Sequence, residues 1–270
     1  MTTDATESRK LKDAAAAAAR ARRDPLRAVF RGEMALDFKR DARDIVTEHD
    51  KATERALITE LSAAVPDSAF LGEEGGAVGN GRVRWYIDPI DGTSNFAAGF
   101  AFWCVSIAAE IDGRIVAGVV YDPIADILFS ADLDGAYLDD APLRSRGAHS
   151  EDEATLITGY PNARDISAHG DVALERFGSL VEAFRSLRRP GSAAMSVCHV
   201  AAGWVDAAAG FSVNPWDVSA AGFILTQAGG AYRAMGGAEG APFHHHPGYV
   251  ATVEGLSCPT LDAVAGSIAG

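Results

Sequence analysis

Apolar residues recur every three or four positions in some stretches of this chain; in others they alternate or run unbroken. The first pattern marks helices and the second strands. Residues 5–33 are rich in alanine and other good helix formers and read as helix. Asp24-Pro25 interrupts that run, as a kink or as a fresh cap with proline in first helical position. The charged stretch Phe38-Lys39-Arg40-Asp41-Ala42-Arg43-Asp44 reads as a loop or hairpin. Leu57, Ile58, Leu61 and Val65 keep helical spacing over 51–65, and Pro66-Asp67-Ser68 ends the helix before a short strand at 69–73. A buried strand opens at Trp85-Tyr86-Ile87, and antiparallel strands are expected at 103–110, 115–121 and 126–131. Residues 134–138 close a first half, and the polar stretch 143–152 marks a boundary between units 1–145 and 146–270. Beyond it strands (154–159, 186–189, 204–210) alternate with helices (172–185, 193–202, 218–228). The expected class is α/β, with an α+β first half and an α/β second half.

The first buried strand runs into Asp88-Pro89-Ile90-Asp91-Gly92-Thr93-Ser94-Asn95. Asp88 ends the strand and Asp91 sits on the turn, so both carboxylates can face one cavity. Pro89 fixes φ and helps aim the Ile90 carbonyl inward, while Gly92 permits backbone angles that a side chain forbids. Thr93, Ser94 and Asn95 suit a helix start, where free N–H groups attract an anion. Hard carboxylates plus a carbonyl suit Mg²⁺. Taken alone, Asp-Pro and Asp-Gly are ordinary turn formers in a solvated loop.

Composition narrows the setting. The 270 residues are 48% hydrophobic and 23% charged, ordinary for a globular protein with a sizeable core. A net charge of −13 argues against a nucleic-acid polymer as partner. It does not exclude a phosphate ester, because bound divalent cations invert the local field. Cys104, Cys198 and Cys258 are scattered and lack metal or redox spacing, and Cys104, Cys198, Trp103 and Trp204 read as core. No signal-peptide core or membrane-length apolar window is visible, so a cytoplasmic location and no membrane partner are expected. His244-His245-His246, between Phe243 and Pro247, reads as a solvated surface loop, since three consecutive imidazoles do not easily converge on one ion.

Two further acidic motifs sharpen the central one: Gly72-Glu73-Glu74-Gly75-Gly76 upstream and Asn214-Pro215-Trp216-Asp217-Val218-Ser219-Ala220-Ala221-Gly222 downstream. With these three in this order, the chain from about Lys39 onward resembles the inositol monophosphatase-like family of Mg²⁺-dependent, lithium-sensitive phosphatases. The resemblance implies a layered α-β-α-β-α sandwich, often dimeric, so a homodimer is expected. It places one metal on Glu73, Asp88 and the Ile90 carbonyl, and a second on Asp88, Asp91 and Asp217. A phosphate dianion could recruit a third. It also implies catalytic roles for Glu73 and for Asp50, the latter as partner of Thr93 in a proton relay to water. Phosphate falls to Asp91 and to the N–H groups of Gly92, Thr93 and Ser94. Gly191, Ser192 and Ala193 line the substrate pocket, and Lys39 lies on a loop near the metals.

On local grounds alone, Asp50 and Asp217 each read as a helix N-cap. Convergence changes the balance, because two carboxylates ~4 Å apart at an effective dielectric of ~20 repel by ~4 kcal/mol. Gly210 stands where inositol-specific relatives carry a glutamate, which removes a charged acceptor and enlarges the pocket. The expected activity is hydrolysis of a small phosphate monoester, an inositol phosphate or a related polyol or sugar phosphate. Alternatives are histidinol phosphate, or a fructose or nucleotide bisphosphate with Arg164, Arg188 and Arg189 as the candidate second anion site. A silent binding relative comes last, because Asp88, Asp91, Thr93 and Asp217 are all present.

Overall fold

The computed structural model describes residues 3–33, 36–38 and 45–269, so Lys39 lies outside the described residues. The N-terminal run forms α1 (Ala5–Arg20) and α2 (Arg23–Val29). The break falls at Ala21-Arg22, ahead of Asp24-Pro25. Pro25 then sits in the first turn of α2, where its missing N–H costs nothing. Strands β1 (Leu36–Phe38) and β2 (Ile45–Thr47) pair antiparallel on either side of the charged stretch. Helix α3 (Glu48–Ala64) begins three residues earlier than its periodicity suggests.

Next come β3 (Ser68–Gly72), β4 (Gly76–Gly79), β5 (Val83–Asp91), the short α4 (Thr93–Ala98), β6 (Cys104–Ile111), β7 (Arg114–Asp122), β8 (Ile127–Asp132), β9 (Gly135–Leu138) and β10 (Ala141–Pro142). They build an eight-stranded sheet in the order β10-β9-β8-β7-β6-β5-β3-β4. Only the β3–β5 pair is parallel. The rest of the chain supplies β11 (Thr155–Thr158), α5 (Ala163–His169), α6 (Asp171–Ala183), β12 (Ser186–Arg188), α7 (Ala193–Ala201), β13 (Ala207–Phe211), α8 (Pro215–Gln227), β14 (Ala231–Met235), β15 (Gly248–Thr252) and α9 (Pro259–Ala269). Its five-stranded sheet runs β12-β11-β13-β15-β14, parallel through β12-β11-β13 and antiparallel beyond.

Side-chain alternation stacks these pieces. Along β5, Trp85 and Ile87 face Leu11, Leu57 and Leu61 of α1 and α3. Tyr86, on the opposite face, meets Val197, Val218, Ala221 and Ile224 of α7 and α8. Those two helices also cover Ala208 and Ala251 of the second sheet. On its far side Leu180 of α6 and Leu261 of α9 pack over Ala207 and Val250. The result is a layered α-β-α-β-α sandwich, and β5, buried on both faces, reads as a nearly continuous hydrophobic run for that reason. Among the described residues, no helix is long and apolar enough to cross a membrane.

Cys104, Cys198 and Trp103 are fully buried, and burial pushes both thiols well up, as core positions require. Trp204 differs from expectation. It is 49% exposed and lies edge-on to His199 and Phe129, because the chain turns there and β13 starts three residues later. The histidine run also differs. Phe243–His245 is a 3₁₀ turn packed on α8, His244 is buried, and its Nε2 lies 3.1 Å from Oε2 of Glu110.

Candidate active site

The site begins with a change of parity in β5. Residues three apart on a regular strand point to opposite faces, so Asp88 and Asp91 should diverge. They do not, because Asp88 pairs with Ser106 and Asp91 with Cys104, three residues on β5 against two on β6. The extra residue is a β-bulge, which returns Asp91 to the side of Asp88. Asp88 Oδ1 accepts the Ile90 N–H at 3.0 Å and closes the turn. Sequence reasoning puts Asp91 on a loop, whereas the strand continues through it. Gly92 follows in the left-handed region (φ 96°) and caps α4.

Each remaining group is aimed by a helix end. Thr47 is the N-cap of α3, and Asp50, expected as the cap itself, is the residue that reaches back to it. Asp50 Oδ2 accepts from the Thr47 N–H (2.8 Å) and hydroxyl (2.7 Å). Its Oδ1 is left for the Thr93 hydroxyl at 2.9 Å, which can also donate to the Ile90 carbonyl at 3.0 Å. Asp217 repeats the device. Helix α8 starts at Pro215, Asn214 is the cap, and the Asp217 carboxylate accepts the Asn214 N–H at 2.8 Å. Proline at the first helical position explains why the helix begins earlier than its apolar run.

Ser192 caps α7 and donates its hydroxyl to Asp91, whose carboxylate also accepts the Ala194 N–H at 2.7 Å and the Ala193 N–H at 3.4 Å. Thus residues 192–193, expected only on the pocket wall, also hold Asp91. Asn95 ties the two segments together through the Phe102 and Pro190 carbonyls.

Glu73 follows β3 and is hydrogen-bonded to Asp88. Its turn rests on Glu54, which sequence reasoning missed. Buried in α3, Glu54 accepts the N–H groups of Glu74 (2.9 Å) and Gly75 (2.6 Å). A signal existed: Glu54 continues the buried stripe of Leu57 and Leu61, where an unpaired charge would be costly.

The electrostatics are one-sided. Asp88 is 2% exposed, and burial pushes its carboxyl well above the usual carboxylate range, with Glu73, Asp91 and Asp217 adding to the rise. Asp217 is driven well up by burial and by Asp91. Burial also raises Asp91, while hydrogen bonds from Ser192 and the amides of residues 193–195 pull it back. Among the described residues, the largest influences on these three groups are burial, one another's carboxylates and hydrogen bonds. Buried oxygen donors whose charged forms are disfavoured together fit a hard divalent cation, whose charge would offset theirs.

Next to this cluster lies a cavity of about 260 Å³ bounded by Gly191, Ser192, Ala193, Gly210 and Tyr249. Gly210 does not simply enlarge it. A Cβ there would fall 2.5 Å from Cε1 of Tyr249, so the tyrosine ring takes the room that glycine leaves.

A layered sandwich with acidic side chains gathered beside a small cavity is here the frame of a phosphoric monoester hydrolase. The chain belongs to the inositol monophosphatase family, whose sequence profile matches residues 5–263 and whose members use metal ions. It is 38% identical to the Nus factor SuhB of Pseudomonas aeruginosa, over 79% of this chain and 82% of that protein. It is 36% identical to an inositol-1-monophosphatase of Mesorhizobium japonicum, over 73% of this chain and 74% of that protein. The solved extragenic suppressor protein suhB of Bartonella henselae superposes with a TM-score of 0.83 at 29% identity, covering 94% of this chain and 96% of that one.

Proposed function

We propose that this chain is a Mg²⁺-dependent phosphomonoesterase acting on a small phosphate monoester, an inositol phosphate or a related polyol or sugar phosphate. The observation that supports this reading best is the burial of Asp88, Asp91 and Asp217 together, which raises all three carboxyls, with Asp91 and Glu73 adding to the rise of Asp88 and Asp217. Glu73, Asp88 and the Ile90 carbonyl would hold one ion; Asp88, Asp91 and Asp217 would hold a second. A third would arrive with the phosphate. Bound there, divalent cations lower the pKa of a water and neutralise phosphoryl oxygens.

The protein's own groups do the rest. The Thr93 hydroxyl spends its one hydrogen on Asp50 or the Ile90 carbonyl, so it offers an attacking water lone pairs. Asp50, gripped by Thr47 on its other oxygen, keeps that hydroxyl from rotating away. The first N–H of α4 with an intrahelical acceptor is that of Asn95, to the Gly92 carbonyl at 2.8 Å. Those of Gly92, Thr93 and Ser94 precede it and would meet the phosphate. Gly191, Ser192 and Ala193 would bound the leaving alcohol. Arg189 is poorly placed for a second phosphate, since it donates to the carbonyls of Gly159, Tyr160 and Pro161. That removes one of the three candidate anchors for a second phosphate.

The deciding experiment measures phosphate release from a panel of inositol, sugar, histidinol and nucleotide phosphates, with Mg²⁺ and with EDTA. Release that needs Mg²⁺ and falls with added lithium is expected. Release undiminished by EDTA would overturn the reading.

A further inference from the structure

The histidine run has no part in the hydrolysis proposed above, yet one of its imidazoles bonds a buried carboxylate and a second lies close beside it. One ligand atom each from Glu110, His244 and His245 lies within 4.8 Å of the other two. We propose that these three residues form a second metal centre, one suited to a Zn²⁺-type ion, that fastens the 3₁₀ turn of residues 243–245 to β5 and β6.

The distances already approach coordination geometry. A tetrahedral ion with ligands at ~2.0–2.1 Å has its donor atoms ~3.3 Å apart. Oε2 of Glu110 lies 3.1 Å from Nε2 of His244 and 3.0 Å from the Tyr86 hydroxyl, which is 3.2 Å from Nε2 of His245. Two imidazole nitrogens, a carboxylate oxygen and either the phenol oxygen or water would complete four vertices. Such a donor set selects borderline transition ions, whereas all-oxygen sites take Mg²⁺.

The groups are prepared for an ion. The Glu110 side chain is 9% exposed and that of His244 1%. Nδ1 of His244 is buried without a hydrogen-bond partner among the described residues, so Nε2 is its one productive nitrogen. Hydrogen bonds from His244 and Tyr86 hold the Glu110 carboxyl below the usual range, and it stays ionised. Arg84 competes for the other carboxylate oxygen, with Nη1 3.9 Å from Oε1 on a half-exposed side chain, which leaves Oε2 for the ion. His245 is exposed and gives the ion an entrance. Glu110 lies four residues along β6 from Ser106, the register partner of Asp88. That is roughly 13 Å, too far for the two centres to share an ion.

The test is Zn²⁺ titration of the full chain at saturating Mg²⁺, by calorimetry and by Co²⁺ absorption. Wild type should take one further equivalent of Zn²⁺ and show the visible bands of tetrahedral, nitrogen-ligated Co²⁺. His245→Ala removes an exposed ring and costs one hydrogen bond to Tyr86 and two ring contacts, while His244 and Glu110 keep theirs to each other. It should weaken Zn²⁺ at least tenfold and abolish the bands, and Glu110→Gln should do the same. At a hundredfold excess over Kd, Zn²⁺ should raise Tm by roughly 5 °C in wild type and not in His245→Ala. Equal Zn²⁺ affinity in wild type and His245→Ala, or no equivalent beyond those Mg²⁺ blocks, would overturn the proposal. Phosphate release tracks the acidic cluster and so reports on the other centre separately.

Discussion

Asp88 and Glu110 stand on neighbouring strands, both little exposed though Asp88 is the more deeply set, and their carboxyl groups are displaced in opposite directions. Around Asp88 the near charged groups are other carboxylates, so burial and repulsion add, and the charged form is disfavoured. Around Glu110 stand an imidazole, a phenol and a guanidinium, whose hydrogen bonds and charge outweigh the burial. Depth alone therefore does not decide what a buried carboxylate becomes; its neighbours do. In the first cluster the charged forms are disfavoured, and either protons or the cations proposed above would relieve it. The second is satisfied by protein donors and needs an ion only to be tightened.

The sharpest way to break that contrast is Asp88→Asn. Mg²⁺-dependent phosphate release should fall on the order of 10³-fold, the scale of losing a central electrostatic group. In EDTA the same variant should be more stable than wild type by roughly 2 °C in Tm, about 1 kcal/mol, because one repelling charge is gone. A lower Tm in EDTA would mean that Asp88 is not under repulsion. Thr93→Ala should cost ~10²-fold in kcat with little change in Tm, while Glu110→Gln keeps Mg²⁺-dependent turnover close to wild type. Comparable losses in both would erase the functional separation.

Stability against pH probes the two clusters with opposite sign. Asp88, Asp91 and Asp217 have folded pKa values above their unfolded ones. Their contribution is complete below the ordinary carboxylate range and is lost as pH rises through the raised values. Metal-free protein should therefore lose stability toward neutral pH, and Mg²⁺ should restore it. Glu110 has a lowered folded pKa, so its contribution holds above the ordinary range and is lost as pH falls through the lowered value. Denaturation at several pH values, with EDTA or Mg²⁺, separates these limbs, and Glu110→Gln should flatten only the acid one. The last variant, Glu54→Ala, acts on stability first and on the site only indirectly. It strips two N–H groups of their acceptor at about 1–3 kcal/mol each and should raise the Mg²⁺ requirement by loosening Glu73.

Much of the candidate site is legible in the chain because its parts are local. Asp88, Gly92 and Thr93 announce a turn into a helix through neighbours one to five residues away, and the Ala-rich and apolar runs announce their helices by spacing alone. Helix starts were harder to read. Asp50 and Asp217 look like caps from sequence, yet each is the acidic partner of a cap three residues upstream. The apolar periodicity marks where a helix is packed, whereas its first turn is polar and leaves that period unmarked. Glu54 and His244 escaped for a related reason: a charged or polar residue looks solvated until the element that covers it is known.

The order of strands and helices, the acidic motifs and the chemistry their oxygen donors favour follow from the sequence, since each depends on near neighbours along the chain. Only the tertiary structure decided that a one-residue bulge turns Asp91 toward Asp88. It also decided that Tyr249 fills the space beside Gly210, and that His244 reaches Glu110 across 134 positions of sequence. Register and long-range contact are settled by how whole layers pack, and no local pattern encodes them.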